Sequence, residues 1–249
     1  MGNHSRKTSE TSLKIIEAVG ELDSASLTKI SDYTDIPTST LHTHLQTLKQ
    51  NEYLQKKDSE YRLGMKIFHL GEKARRRDER YQIAKEEAWQ LSNRVGEEVS
   101  FAVEENGRMM IIYDEITAPS EEGFQVGRYF NIHSSACGKA ALAEFSDERI
   151  RDIIDKRGLK KHTGNTITSR SRLFHEIQQI REQGYAVNKQ EELEGLRAVA
   201  VAINEPDGDL FGTLDISGPP YRLPDDEIIA DRLQEAVDNI EQSIKNSHV

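Results

Sequence analysis

One cysteine, Cys137, stands in a chain of 249 residues. It excludes an internal disulfide and fits a reducing cytoplasm, the expected location. No apolar run approaches the roughly 18 residues of a membrane-spanning helix, so no membrane partner is expected. The start, Met-Gly-Asn-His-Ser-Arg-Lys, has no apolar core of the kind a secretory leader needs. Low-complexity segments are missing, which argues against long disorder. Paired carboxylates, a glycine-rich phosphate loop and a nucleophile–base–acid arrangement do not stand out, so neither an enzyme nor a cofactor is expected. Positive charge is also scarce. With 33 Lys+Arg against 43 Asp+Glu, the net charge of −10 looks wrong for a nucleic-acid binder. Division of the chain changes that conclusion. Residues 1–77 hold 13 Lys+Arg against 10 Asp+Glu, and the other 172 hold 20 against 33. Only the first part needs to meet phosphates.

What is present centres on Pro37-Thr-Ser-Thr-Leu-His-Thr-His-Leu-Gln-Thr-Leu48. Leu41, Leu45 and Leu48 form a stripe at i, i+4, i+7, and Pro37 suits the first turn of a helix. The opposite side carries Thr38, Ser39, His42, Thr43 and Thr47. Surface helices usually use long Lys, Glu or Arg chains there, because those keep their rotamers. Short polar chains let the helix backbone approach another molecule, as a helix in the DNA major groove must. Upstream, Leu13, Ile16 and Val19 mark one helix, and Ser26 to Ser31 a second with a Ser cap. Downstream, Tyr53 to Lys57 and Tyr61 to Leu63 read as a hairpin around Asp58-Ser59-Glu60. Three helices and a hairpin make a winged helix-turn-helix over residues 1–64. Thr38, Ser39, Thr40, His42 and Thr43 are the expected base readers. Lys56, Lys57 and Arg62 on the wing are the expected phosphate contacts.

Residues 65–79 read as a polar linker helix ending in Arg75-Arg76-Arg77, which either touch the DNA backbone or form a solvated face. A second domain is expected over residues 80–249. Tyr81, Ala84, Ala88, Leu91 and Val95 follow helical spacing. Val99–Val103 alternates as a strand, and Asn106-Gly107 signals a tight hairpin into Met109–Tyr113. Ala198–Ile203 and Leu210–Ser217 flank a Pro206-Asp207-Gly208 turn. Helices are expected at Ser134–Phe145 and Ser171–Gln183, and a long final helix carries Ile229, Leu233, Ala236, Ile240 and Ile244. Hairpins sharing a domain with separate helices predict an α+β fold, an antiparallel sheet packed with helices.

Across nearly its whole length the chain resembles the IclR family of bacterial and archaeal transcription regulators. Pro37, Ser39, Thr40, Leu41, His42, Leu45 and Leu48 fit the family's reader-helix pattern, and Tyr61-Arg62-Leu63-Gly64 its wing. His133-Ser-Ser-Ala-Cys-Gly138-Lys139-Ala140, Gly184-Tyr185-Ala186-Val187, Glu191-Glu192-x-x-Gly195-x-Arg197 and Ile216-Ser217-Gly218-Pro219 follow in the family's order. The resemblance implies a GAF-like effector-binding domain behind the winged helix, and a homodimer or dimer of dimers on a palindromic operator in double-stranded DNA. Thr38 and Thr43 depart from the Lys or Arg that members often carry there. Members that sense small oxo-acids often have Asp at the place of Asn188, Cys at that of Ala198 and Ser at that of Asp215. Ser217 is retained here.

The implied site combines Asn188, Ala198, Asp215 and Ser217 with the start of the 134–145 helix. Free N–H groups at that helix start would favour a carboxylate near Ala136 and Cys137, and Phe130 would supply an apolar side. An ionised Asp215 accepts hydrogen bonds from hydroxyls. A polyhydroxylated or amide-bearing metabolite, such as a sugar acid or another small organic acid, is therefore the expected effector. Two other readings use the same segment. His133 and Cys137, at i, i+4, suit two metal ligands on one helix face, but no further pair completes a zinc site. Cys137 at a helix start could also be a redox thiol in a GAF-like enzyme. A nonspecific architectural DNA binder is a third alternative.

Overall fold

The computed structural model describes residues 6–116 and 126–247. The chain forms two compact units, Met1–Asp78 and Glu79–Val249.

In the first unit, α1 (Lys7–Glu21), α2 (Leu27–Thr34) and α3 (Thr38–Gln50) surround one apolar core of Ile15, Val19, Ile30, Leu41, Leu45 and Leu48. Ser26 caps α2 by accepting the Lys29 N–H. Asp35 ends that helix in the left-handed region at φ 57°, which turns the chain sharply into Pro37. Pro37 is the N-cap of α3, one residue earlier than its fixed φ suggests. Strands β1 (Ala25–Ser26), β2 (Leu54–Lys57) and β3 (Glu60–Leu63) form a three-stranded sheet in the order β1-β3-β2. Its hairpin is the expected wing; β1 is too short to leave a periodic signal. Leu54 and Tyr61 anchor the wing in the helical core. Helix α4 (Met65–Arg75), read from the sequence as a linker, falls within this unit.

The second unit is built on a six-stranded antiparallel sheet in the order β6-β5-β4-β9-β8-β7. The strands are β4 (Glu98–Glu105), β5 (Arg108–Glu115), β6 (Tyr129–Asn131), β7 (Ala186–Lys189), β8 (Arg197–Asn204) and β9 (Leu210–Gly218). Asn106 and Gly107, both at positive φ (56° and 80°), close the β4–β5 hairpin. One face is apolar. Val99, Phe101, Tyr113, Val199, Val201, Leu214 and Ile216 pack beneath α5 (Tyr81–Val95) and α9 (Asp226–Ser247). On the other face lie α6 (Ala136–Glu144), α7 (Asp147–Arg157) and α8 (Arg170–Gln183), over Ala102, Met109, Ile111, Ala186, Ala198 and Ala200. Helix α7, with Ile150, Ile153 and Ile154 inward, was not anticipated; its charged composition hides a narrow apolar stripe. The α+β architecture is the one expected.

Candidate DNA-reading helix and effector site

In the first unit, side-chain hydrogen bonds tie α1, α2 and α3 and the turn between the last two together. Ser12 Oγ lies 2.8 Å from His44 Nδ1, Ser31 Oγ donates to the Ile36 carbonyl at 2.7 Å, and Lys14 Nζ to the Thr34 carbonyl at 2.6 Å. His44 is thereby tied to α1, whereas Thr38, Ser39, Thr40, His42 and Thr43 are all exposed. Thr47 Oγ1 donates back to the Thr43 carbonyl at 3.1 Å, so its hydroxyl proton is committed. The wing divides its cations by strand parity. Gln55 pairs with Arg62, and Lys57 with Glu60, on one face; Lys56 pairs with Tyr61 on the other. The Lys56 ammonium sits 5.1 Å from the Tyr61 ring centre, and Arg62 donates to Gln55 Oε1 at 3.1 Å. Sequence order alone grouped the three cations. The pleat separates Lys56 from Lys57 and Arg62. In the linker, Glu72 takes both Arg75 and Arg76 as ion-pair partners.

In the second unit, the register brings most of the expected effector residues into two neighbouring rows across the sheet. Asn188, Ala198, Ser217 and Glu98 form one row; Ala186, Ala200, Asp215, Ser100 and Asp114 form the next. All lie on the face that α6 covers, because the intervening residues of β4, β8 and β9 point into the apolar core beneath α5 and α9. Thr213 continues the β9 stripe one row further, beside Ala102 and Ala202. Thr213, Asp215 and Ser217 are almost fully buried. Asp215 Oδ1 and the hydroxyls of Thr213 and Ser217 have no hydrogen-bond partner among the described residues. Buried polar atoms are normally paired, so three orphans on one stripe mark a place built for something else. Asn188 differs: its Oδ1 accepts the Glu191 N–H at 2.7 Å and shapes the turn after β7.

Carboxyl groups crowd this end of the sheet. Ser100 Oγ donates to Asp114 Oδ1 at 3.1 Å. Burial pushes the Asp114 carboxyl up to about 6, against hydrogen bonds from Ser100 and Glu98 that lower it. Burial, then the charges of Asp114 and Glu98, push Asp215 well above the usual carboxylate range. Glu98, Ser100, Asp114 and Thr213 were not singled out from sequence. For the three on β4 and β9 the only signal is alternation along the strand, which ordinarily indicates a solvent-facing strand, and Asp114, at the end of the apolar run of β5, has none.

Helix α6 approaches these rows through its first turn. Ser135 is the N-cap, accepting the Gly138 N–H at 3.1 Å while donating to the Asn131 carbonyl at 2.8 Å. The helix is so rich in alanine that all of Ala136 to Ala143 is buried. Because the helix starts at Ala136, His133 lies in the turn before it rather than on the same helical face as Cys137. Its ring contacts the Lys160 carbonyl at 3.0 Å, and burial lowers its basicity. No three His, Cys, Asp or Glu side chains converge as a metal site would need among the described residues. Cys137 is buried, and burial followed by the Asp215 charge pushes its thiol far up, opposite to a reactive thiolate. The redox reading therefore finds no support. Phe130 is not brought to the carboxyl rows. It pairs with Met109 at the opposite end of β5 from Asp114, inside the apolar cluster under α6.

A second group, from the turn after β7 and from α8, also holds α6. Lys139, fully buried, places its ammonium 2.5 Å from Glu191 Oε1 and 2.9 Å from Glu176 Oε1. Glu192 accepts from Ser134 Oγ and, at 3.1 Å, from Asn131 Nδ2. The Glu191-Glu192 motif thus clamps both the body and the start of the helix.

Comparison with known proteins agrees with this arrangement. Residues 77–246 match the family model described as "Bacterial transcriptional regulator IclR C-terminal", and residues 11–58 match "IclR helix-turn-helix domain". The regulator KdgR of Escherichia coli is 30% identical over 226 residues, 90% of this chain and 84% of that protein. The acetate operon repressor of Salmonella typhimurium is 28% identical over 222 residues, 87% and 81% of the two chains. The crystal structure of the Thermotoga maritima IclR shares the fold at a TM-score of 0.76 and 24% identity, covering 95% of this chain and 98% of that one. With both family models matched in order, the chain belongs to the IclR family and is a transcription regulator of the kind that controls metabolic operons.

Proposed function

We propose that the protein binds a palindromic operator as a homodimer, directs α3 into the major groove, and changes its hold on DNA when a small polar metabolite occupies the carboxyl rows beneath α6. The observation that carries this reading is the fully exposed, short-chained face of α3 next to a wing that presents Lys57 and Arg62 together. Thr38, Ser39, Thr40, His42 and Thr43 would meet base edges, and the wing cations phosphates. Pairing of copies is supported by apolar side chains left uncovered in the first unit: Leu13 on α1, and Met65, Phe68 and Leu70 on α4. A dimer spaces two reader helices by about one DNA turn, roughly 10 bp or a multiple. For the ligand, Asp215, Ser217 and Asn188 would supply polar contacts, Ala198 the space, and the first-turn N–H groups at Ala136 and Cys137 a seat for a carboxylate. The effector acts through its affinity difference between two placements of the DNA-binding units. Catalysis has no part in this reading.

A footprint on DNA flanking the protein's own gene, with and without small organic acids, tests the proposal. A protected palindrome whose protection changes with one metabolite is the expected result. Uniform protection of any sequence, lost steeply with salt, would instead indicate an architectural binder.

A further inference from the structure

The charge balance of the two rows narrows the ligand further. Neither row across the sheet contains a Lys or Arg, while Glu98, Asp114 and Asp215 all belong to them. The nearest buried ammonium, that of Lys139, is taken up by Glu191 and Glu176. Near the start of α6 the chain supplies a further carboxylate, Glu192, held by the Ser134 and Asn131 side chains rather than by the first-turn N–H groups. A plain organic anion would meet the half-charge of one helix end and, otherwise, only acidic side chains on these rows. A metal ion does not fit either, since no three ligand side chains converge among the described residues. An organic cation with several donors does fit. Asp215 Oδ1, Ser217 Oγ and Thr213 Oγ1, all buried and unpartnered, are acceptors on one strand stripe. An ammonium group offers three donors and no acceptor.

We propose that the effector is an amino acid or a closely related zwitterion, its ammonium seated on Asp215 between Asp114 and Ser217 and its carboxylate on the first-turn N–H groups of α6. This rests on the regulator reading and specifies its ligand class. Binding leaves Asp215 ionised, so any proton the empty site holds passes to solvent. The groups that face this carboxyl are Glu98 and Ser100 from β4, Asp114 from β5 and Cys137 from α6, on which Glu192 from the turn after β7 also acts.

Isosteric pairs separate this from a hydroxy-acid effector. Serine with glycerate, alanine with lactate, 4-aminobutyrate with 4-hydroxybutyrate, and glucosaminate with gluconate are compared by thermal shift and calorimetry on the full chain. The expected result is stabilisation by at least one amino member, with its hydroxy isostere at least tenfold weaker. Its dissociation constant should fall by up to tenfold per pH unit while the carboxyls are protonated, and level off above their titration. Asp215→Asn should abolish that response, and Asp114→Asn should weaken it and flatten its pH dependence. Hydroxy acids binding as tightly as their amino partners would overturn the inference and leave the regulator reading standing. So would a panel in which no amino compound stabilises the protein at millimolar concentration. Loss of a sequence-specific footprint from the ligand-free protein would be a failure of the regulator reading itself.

Discussion

The two faces of the six-stranded sheet come from the same strands and differ only by parity. Along β9, Leu214 and Ile216 enter the core shared with α5 and α9, joined by Phe211 where the register with β8 shifts, while Thr213, Asp215 and Ser217 point to the α6 side. One face is filled with interlocking apolar volume; the other has orphaned acceptors, small alanines and carboxyls held away from their usual titration. The first face stabilises the fold. The second leaves polar groups unsatisfied and so costs stability, as sites kept ready for a ligand commonly do.

The most severe way to break the contrast is at the clamp behind α6. Lys139→Ala strands Glu191 in the interior and should cost about 3–5 kcal/mol in urea unfolding; a loss below about 1 kcal/mol would mean the pair is not buried as described. Next comes a comparison of neighbours. Leu214→Ala should cost about 2–5 kcal/mol, whereas Asp215→Asn should leave the ligand-free protein as stable or make it more so. If both destabilise alike, the two faces are energetically equivalent and the ligand-ready description fails. A smaller effect concerns pH. The Asp114 carboxyl titrates higher when folded than when unfolded, so the native state holds its proton longer. Stability should therefore fall as pH rises from about 4 to about 6, by roughly 1 kcal/mol after solvent screening. Asp114→Asn should make that slope shallower in denaturation curves taken across this range, the remainder coming from Asp215 and Glu191, which burial also raises. The wing gives the mildest test. Lys57→Ala should weaken binding to every DNA sequence and reduce the salt slope by about one. Lys56→Ala, on the Tyr61 side of the hairpin, should change it less. Equal effects would show that the parity of this hairpin does not govern phosphate contact.

These elements also show what the sequence makes legible. Long amphipathic helices such as α5 and α9, and hairpins with Asn106-Gly107 or Pro206-Asp207-Gly208 at their tips, follow from local pattern and turn chemistry. Strands of two to four residues, β1, β6 and β7, carry too few positions for a period to emerge. The site is harder still. Asn188, Ala198, Asp215 and Ser217 could be grouped only through family resemblance, because their rows depend on cross-strand register set far along the chain. Glu98-x-Ser100 and Thr213-x-Asp215-x-Ser217 read as half-solvated strands, since nothing local reveals that a helix closes over them. Phe130 illustrates the opposite error: adjacent in sequence to the helix start, it is carried by β6 to the far end of the sheet face.

Gly138 lets the first turn of α6 lie close against the backbone of Ile132 just before it. A Cβ there would lie 2.3 Å from the Ile132 carbonyl oxygen, closer than any neighbour could tolerate without backbone movement. Adding one methyl would force the first turn of α6 and the turn at Ile132 apart. Under the proposed function, ligand preference and the response of DNA binding to it would then shift together, although the altered atom would touch neither metabolite nor operator.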